Sequence, residues 1–314
     1  MKEPSVCIIV LNWNGKDVLK DCLSSLFKTT GYKNFRAVVV DNGSVDTSVE
    51  MVRHLYKKVD VLENKTNLGF MKGNNVGIEF VIERYNPDYV LLLNNDTKII
   101  QHDWLERLVI VAESDRDIGL VCPKLVFPDG RIQWSGRKKE SNLVYLMIQA
   151  LSASLNPGIG LDETSSSFVG EVNTVSGACM LIKTGLIKSI GPLDEGLSPF
   201  YQDDVEYSFR AKKFGYKVVY VGDSKVIHLQ SYSFRKRGIS DKNLYLALRN
   251  SLIVSKKYFG FFRTSFIGLP IIMLTCIFER SDKTLGFSIK NLKVRKNPFA
   301  KFWILIKIMK YLFR

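Results

Sequence analysis

Tyr89 to Thr97 reads Tyr-Val-Leu-Leu-Leu-Asn-Asn-Asp-Thr, a greasy run that ends abruptly in polar groups with one carboxylate, Asp96. A buried strand that delivers a carboxylate to its C-terminal edge puts it where open α/β sheets bind ligands. Hard cations such as Mg²⁺ and Mn²⁺ prefer oxygen donors, and Mg²⁺ is commonly shared between one or two carboxylates and substrate phosphates. The competing reading is an Asx turn or helix cap that Thr97 shares. Asp41 ends a second apolar run, Phe35 to Val40. A parallel sheet gathers its strand ends on one edge, so Asp41 and Asp96 can share a crevice. A carboxylate at the end of an apolar strand needs a partner, which favours a ligand role for Asp41. Asp46, in the turn-rich stretch that follows, reads as a helix N-cap.

Two further groups could carry chemistry. Asp203 and Asp204 open a helical stretch. Capping and dipole complementarity explain acids there, yet two adjacent carboxyls raise each other's pKa and can supply a general base. His228 closes the last strand; a lone His is more often structural, and a ligand role depends on an Asp and a diphosphate beside it. Asn67 to Gly77 is punctuated by Gly69, Gly73 and Gly77 and feeds a helix, so backbone could approach an anion there. Neither a P-loop nor a dinucleotide fingerprint is present.

The elements that must hold these groups alternate. Val6–Leu11, Phe35–Val40, Val59–Leu62 and Val90–Leu93 read as buried strands. Between them, Gly15–Lys28 carries a helical apolar stripe, Asp46-Thr47 caps a helix through Leu55, and Asn74–Arg84 is helical. Such alternation implies parallel β-α-β units. Beyond Gly119 the expected elements are strands at Val121–Phe127, Asn173–Ile182 and Lys217–Val221, a turn at Pro128–Arg131, and a helix Val205–Phe214 closed by Gly215. Ser141–Thr164 is ambiguous and Ser165–Ser167 reads as a loop. Gly177 lies where a ligand could approach the backbone closely.

The 314 residues carry a formal net charge of +14, which raises the question of nucleic acid. Residues 232–314 hold 18 Lys+Arg against 3 Asp+Glu, and residues 1–231 hold 27 against 28. A basic, aromatic tail could stack on nucleic-acid bases, but that leaves the ordered strand-end acids unexplained. Lys307, Lys310 and Arg314 share one helical face, and Ile304, Leu305, Ile308, Met309 and Leu312 cover the other. That pattern suits a helix lying in an anionic membrane interface. Tyr258–Phe278, apolar but broken by Arg263 and Pro270, is borderline for a span. The division expected is residues 1–255 catalytic and 256–314 a basic, membrane-associating helical tail. Five scattered cysteines without a C-x-x-C pair argue for a reducing compartment, and no signal peptide is evident. The expected location is cytoplasmic, peripheral on the inner face of the cell membrane.

In order along the chain, Val10-Leu11-Asn12-Trp13-Asn14, Val40-Asp41-Asn42-Gly43-Ser44, Asn67-Leu68-Gly69-Phe70 with Gly73-Asn74-Asn75, Leu93-Asn94-Asn95-Asp96, Val175-Ser176-Gly177-Ala178, Asp203-Asp204-Val205-Glu206 and His228 resemble family 2 glycosyltransferases, most closely rhamnosyltransferase-like members. The resemblance covers roughly residues 4–255 and implies a GT-A fold: an α/β, Rossmann-like, mostly parallel sheet flanked by helices, here with a basic amphipathic extension. It implies an inverting transfer from a nucleotide-sugar, dTDP-rhamnose or a UDP-sugar, to a saccharide or lipid-linked acceptor. Asp204 matches the catalytic base, with Asp203 beside it. Asp96 matches the last position of the metal motif and would bind Mg²⁺ or Mn²⁺ with His228. Asp41 would meet the base and Asn12 the nucleoside. Asn42, Gly69, Gly73, Asn74, Asn94, Asn95 and Gly177 complete the expected nucleotide-sugar site. Two departures stand out: Asn94 replaces the first metal-motif Asp, and Asp203 replaces the usual Glu. A metal-dependent nucleotidyltransferase, releasing pyrophosphate, is the rival enzyme reading.

Overall fold

The computed structural model describes residues 3–133, 136–138, 168–229, 241–260, 278–280 and 292–294. The ambiguous segment 141–164, the loop 165–167 and the proposed amphipathic helix 301–314 lie outside them, as does most of 258–278. Chain contacts divide the protein into two units.

The first unit comprises residues 1–139, 162–199 and 203–231. It begins as the alternating pattern implies. Strands β1 (Val6–Asn12), β2 (Phe35–Asp41), β3 (Asp60–Glu63) and β4 (Tyr89–Asn94) alternate with helices α1 (Lys16–Thr29), α2 (Ser48–Leu55) and α3 (Phe70–Tyr85). The four strands lie in the order β3-β2-β1-β4, all parallel. The continuous apolar runs of β1, β2 and β4 follow from cover on both faces: Val6, Ile8, Val10, Leu91 and Leu93 join α1 residues Leu19, Leu23 and Leu26 in one core. Each such aliphatic side chain contributes about 1.5–3 kcal/mol on full burial.

Beyond β4 the sheet becomes mixed. β5 (Thr97–Ile99), α4 (Trp104–Glu113), β6 (Ile118–Val126), β7 (Gly136–Lys138), β8 (Val169–Val175), β9 (Cys179–Lys183), α5 (Thr184–Ile190), a 3₁₀ turn (Glu195–Leu197), α6 (Asp203–Lys213) and β10 (Lys217–His228) follow. β9 inserts antiparallel between β4 and β6, β10 runs parallel to β6, and β8 and β5 pair antiparallel with β10. The expected strand 173–182 is thus two strands, because Ser176-Gly177-Ala178 turns between them. α4 is absent from the elements expected above, although its buried Trp104, Leu105, Leu108, Val109 and Ala112 keep helical spacing.

α3 begins at Phe70, four residues before the expected start. Gly69, at φ +85°, makes the turn, and Phe70 N–H donates to the Pro199 carbonyl at 2.6 Å. Gly73 and Gly77 therefore lie inside the helix. A Cβ on Gly73 would sit 2.6 Å from Leu11 Cδ1, and one on Gly77 2.7 Å from Ile9 Cγ2. These glycines let α3 close against β1 and β2.

The second unit's described residues are Phe200–Gln202, helix α7 (Asp241–Phe259) and the antiparallel pair β11 (Phe278–Arg280) and β12 (Leu292–Val294). Tyr201 and Gln202 both adopt left-handed backbone, φ +79° and +66°. Asn250, fully buried, donates to the carbonyls of Phe200 and Tyr201 at 3.0 and 2.9 Å. Among the described residues, no helix is long and apolar enough to cross a membrane.

Candidate functional site

The carboxyl ends of β1, β2 and β4 carry a network of polar side chains. Register pairs Asn12 with Asp41 directly. Asn12 Nδ2 donates to Asp41 Oδ1 at 3.0 Å, and Asn95 Nδ2 donates to Asn12 Oδ1 at 2.8 Å. Asp41, buried, also accepts from the Ser44 hydroxyl at 2.6 Å and from Ser44 N–H at 2.7 Å. The burial cost of its charge is thereby offset from within the chain. Asn42 donates to the Gly69 carbonyl at 3.0 Å and accepts from Asn64 at 2.9 Å, tying the loop after β2 to the entry of α3. Asp46 accepts from Ser48 N–H at 3.2 Å and Lys16 N–H at 2.8 Å; the residue in the N-cap position of α2 is Thr47.

Asp96 and His228 meet where β5 pairs with the end of β10. His228 faces Thr97 in register, and Leu229 N–H donates to the Asp96 carbonyl at 2.9 Å. His228 Nε2 lies 3.2 Å from Asp96 Oδ1, with both side chains buried, and Asn94 Nδ2 lies 3.4 Å from the same nitrogen. On the other side of the ring, Nδ1 is 2.9 Å from Gln133 Oε1, and the Gln133 amide nitrogen donates to the His228 carbonyl. Gln133 is buried and was not among the expected site residues. It follows a turn in a stretch with no periodic or motif signal.

Asp203 and Asp204 open α6, and the two differ. Burial, then the charge of Asp204, pushes the Asp203 carboxyl well above the usual carboxylate range. Asp204, half-buried, accepts from Val205 N–H at 2.8 Å and from Gly177 N–H at 3.1 Å. Gly177 is thus engaged by the acid pair, and a Cβ there would stand 3.2 Å from Asp203 Oδ2. The neighbouring Ala178 carbonyl accepts from Asn94 N–H at 2.9 Å. One short turn therefore links the Asn94–Asp96 corner to Asp204. Glu206, the last acid of this motif, is spent in a buried ion pair with Arg210 at 3.0 Å.

Some expected residues have structural partners instead. Asn74 Nδ2 donates to the Phe70 carbonyl at 3.0 Å within α3. Asn75 exchanges hydrogen bonds at 3.0 Å with the Leu193 backbone. Gly69 abuts Pro199, with 2.9 Å left for a Cβ. The described cysteines, Cys7, Cys22, Cys122 and Cys179, are buried free thiols; Cys276 lies outside the described residues.

A cation fits the donors present. A carboxylate oxygen and a ring nitrogen 3.2 Å apart call for a proton or a metal between them. Mg²⁺ takes donors at 2.0–2.1 Å, which sets two cis octahedral donors about 3 Å apart. Among the described residues no group of three His, Cys, Asp or Glu side chains could hold a metal by itself. A site of one carboxylate and one imidazole leaves positions for substrate oxygens, as Mg²⁺ sites with phosphates commonly do.

Residues 5–191 match the family model described as glycosyl transferase family 2. The chain belongs to that family. It is 26% identical over 246 residues to the O-antigen biosynthesis protein RfbC of Myxococcus xanthus, covering 78% of this chain and 19% of that one. It is 24% identical over 245 residues to an N-acetylglucosaminyl-diphospho-decaprenol L-rhamnosyltransferase of Mycobacterium tuberculosis, covering 72% and 76% respectively. The chain spans a quarter or less of the length of the first curated relatives it matches. A crystal structure of GalNAc-T7 with UDP, GalNAc and Mn²⁺ superposes with a TM-score of 0.61 at 17% identity, covering 83% of this chain and 50% of that one. The shared fold is GT-A, as expected; the sheet is parallel through its first four strands and mixed beyond them.

Proposed function

We propose that this family 2 member is an inverting glycosyltransferase, moving a sugar from a nucleoside-diphosphate donor to a hydroxyl of a saccharide or lipid-linked acceptor. The observation that carries the proposal is the Ser176–Ala178 turn, which bonds the Asp96 corner at one end and Asp204 at the other. A diphosphate held at Asp96 and His228 then has a carboxylate nearby for the acceptor. The acceptor oxygen attacks the anomeric carbon, the bond from that carbon to the diphosphate oxygen breaks, and the nucleoside diphosphate leaves with the electron pair. Asp204 takes the hydroxyl proton. Asp203, pushed toward its neutral form, leaves Asp204 as the ionised partner. Bound Mg²⁺ or Mn²⁺ would offset charge on the leaving diphosphate. The chain's own share is positioning and electrostatics.

The donor is proposed as dTDP-rhamnose or a UDP-sugar. The rhamnosyltransferase relative's name supports the first together with a lipid-linked acceptor, and the UDP in the GalNAc-T7 structure supports the second. The charge excess of residues 232–314 supports peripheral attachment to an anionic membrane surface on the cytoplasmic side. Full-length protein should bind anionic vesicles less tightly as salt rises; indifference to those vesicles would remove this attachment.

A panel of nucleotide-sugars with Mn²⁺, scored for the nucleotide released, tests the reaction. Release of nucleoside diphosphate from one donor is expected. Pyrophosphate release would turn the assignment to a nucleotidyltransferase.

A further inference from the structure

We infer that Gln133 is a positioning residue: it fixes the tautomer of His228 and so presents the Nε2 lone pair to the cation of the donor diphosphate. The inference rests on the metal reading above and adds the group that makes His228 a ligand. The His228 carbonyl can only accept a hydrogen bond, so the Gln133 amide nitrogen must face it. That leaves Gln133 Oε1 2.9 Å from His228 Nδ1. An amide oxygen carries no hydrogen, so Nδ1 must donate. In the neutral ring the other nitrogen, Nε2, is then bare, and it is the atom 3.2 Å from Asp96 Oδ1. A free neutral histidine prefers its hydrogen on Nε2, which would point a proton at the cation position. Gln133 reverses that preference.

The clamp is built on a stiff support. Gln133 N–H donates to the Leu125 carbonyl at 2.8 Å, and Ile132 bridges Val126, so the chain folds back on β6. The turn between them is closed by Phe127 N–H to the Arg131 carbonyl at 2.8 Å, with Gly130 at φ +84°. The Gln133 side chain bonds both the carbonyl and the ring of His228, which orients the imidazole. Metal-bound histidines characteristically donate their second ring N–H to such a partner, and loss of the partner typically costs 10–100-fold in metal affinity.

The chain holds three histidines, His54, His102 and His228, so their ring nitrogens can be resolved by nitrogen NMR of ¹⁵N-histidine protein, with His228→Ala assigning the peak. In the metal-free protein, once the ring is neutral, His228 should show protonated Nδ1 and bare Nε2. This reading needs no variant. Gln133→Met should move the hydrogen toward Nε2 and weaken Mn²⁺ binding, followed by electron paramagnetic resonance with a nucleoside diphosphate present, about 10–100-fold. A wild-type ring protonated on Nε2, or Gln133→Met altering neither tautomer nor Mn²⁺ affinity, overturns the inference. Mn²⁺ affinity unchanged in His228→Ala instead overturns the metal reading beneath it, while the tautomer still reports on the clamp.

Discussion

At the ends of β1 and β2, polar groups answer one another. Asn12 donates to Asp41, Ser44 donates twice to the same carboxylate, and Asn95 donates back to Asn12. Where β4, β10 and α6 end or begin, ionisable groups confront one another. Asp96 faces a histidine nitrogen, and Asp203 lies buried beside Asp204. Both regions occupy polar turns on the same mixed sheet, so burial alone does not distinguish them. The first region meets its carboxylate with hydrogen-bond donors from its own loop and neighbouring strand, and so acts as a frame. The second sets a carboxylate against an imidazole nitrogen and two carboxyls side by side, an arrangement suited to a proton or a cation.

This contrast can be broken by substitution. In the second region the largest effect is expected from Asp96→Ala, which should abolish Mn²⁺-dependent binding of a nucleoside diphosphate, read by calorimetry with and without the metal. Asn94 cannot replace the charge; metal-dependent affinity that survives would leave the Asp96–His228 pair a structural contact. Asp204→Asn comes next. Loss of a general base typically lowers rate about 10²–10⁴-fold, and donor binding should stay near normal. If Asp203→Asn is the inactive variant instead, the base is its neighbour.

Asp203→Asn should act mainly on stability, through pH. The Asp203 carboxyl is raised in the folded state, so its contribution is full below the ordinary carboxylate range and declines as pH rises toward the folded value. Asparagine cannot ionise. The melting temperature of the variant should therefore gain on the wild type as pH goes from about 4 to about 8. An equal difference at both ends would show that the carboxyl is not under strain. The smallest effect is expected in the frame: Asn95→Ala removes one hydrogen bond to Asn12 and should cost about 1 kcal/mol in denaturant unfolding. A collapse of donor binding in that variant would erase the distinction between frame and site.

The first four strands and the helices between them were legible because the apolar runs of β1, β2 and β4 are buried and period separates strand from helix there. Legibility failed where long-range pairing set the outcome. The strand expected across residues 173–182 breaks at Gly177 because the turn reaches both Asn94 and Asp204, partners 84 and 27 residues away that no local pattern displays. Gly73 was read as room for a ligand; it is room for β1, since Leu11 would occupy the space of a Cβ.

The candidate site divides along the same line. Residue type and position by themselves marked Asp41, Asp96 and His228 at strand ends and Asp204 at a helix start as groups to watch, because a carboxylate after an apolar run needs a partner. Their partners were decided by tertiary structure. Asp41 is answered by its own loop, Asp96 is brought to His228 by the pairing of β5 with β10, and Gln133 reaches that histidine across 95 residues of chain. The physical reason is that chemical identity is local, while the hydrogen bonds that assign a tautomer or neutralise a charge are made between strand ends that meet only once the sheet has formed.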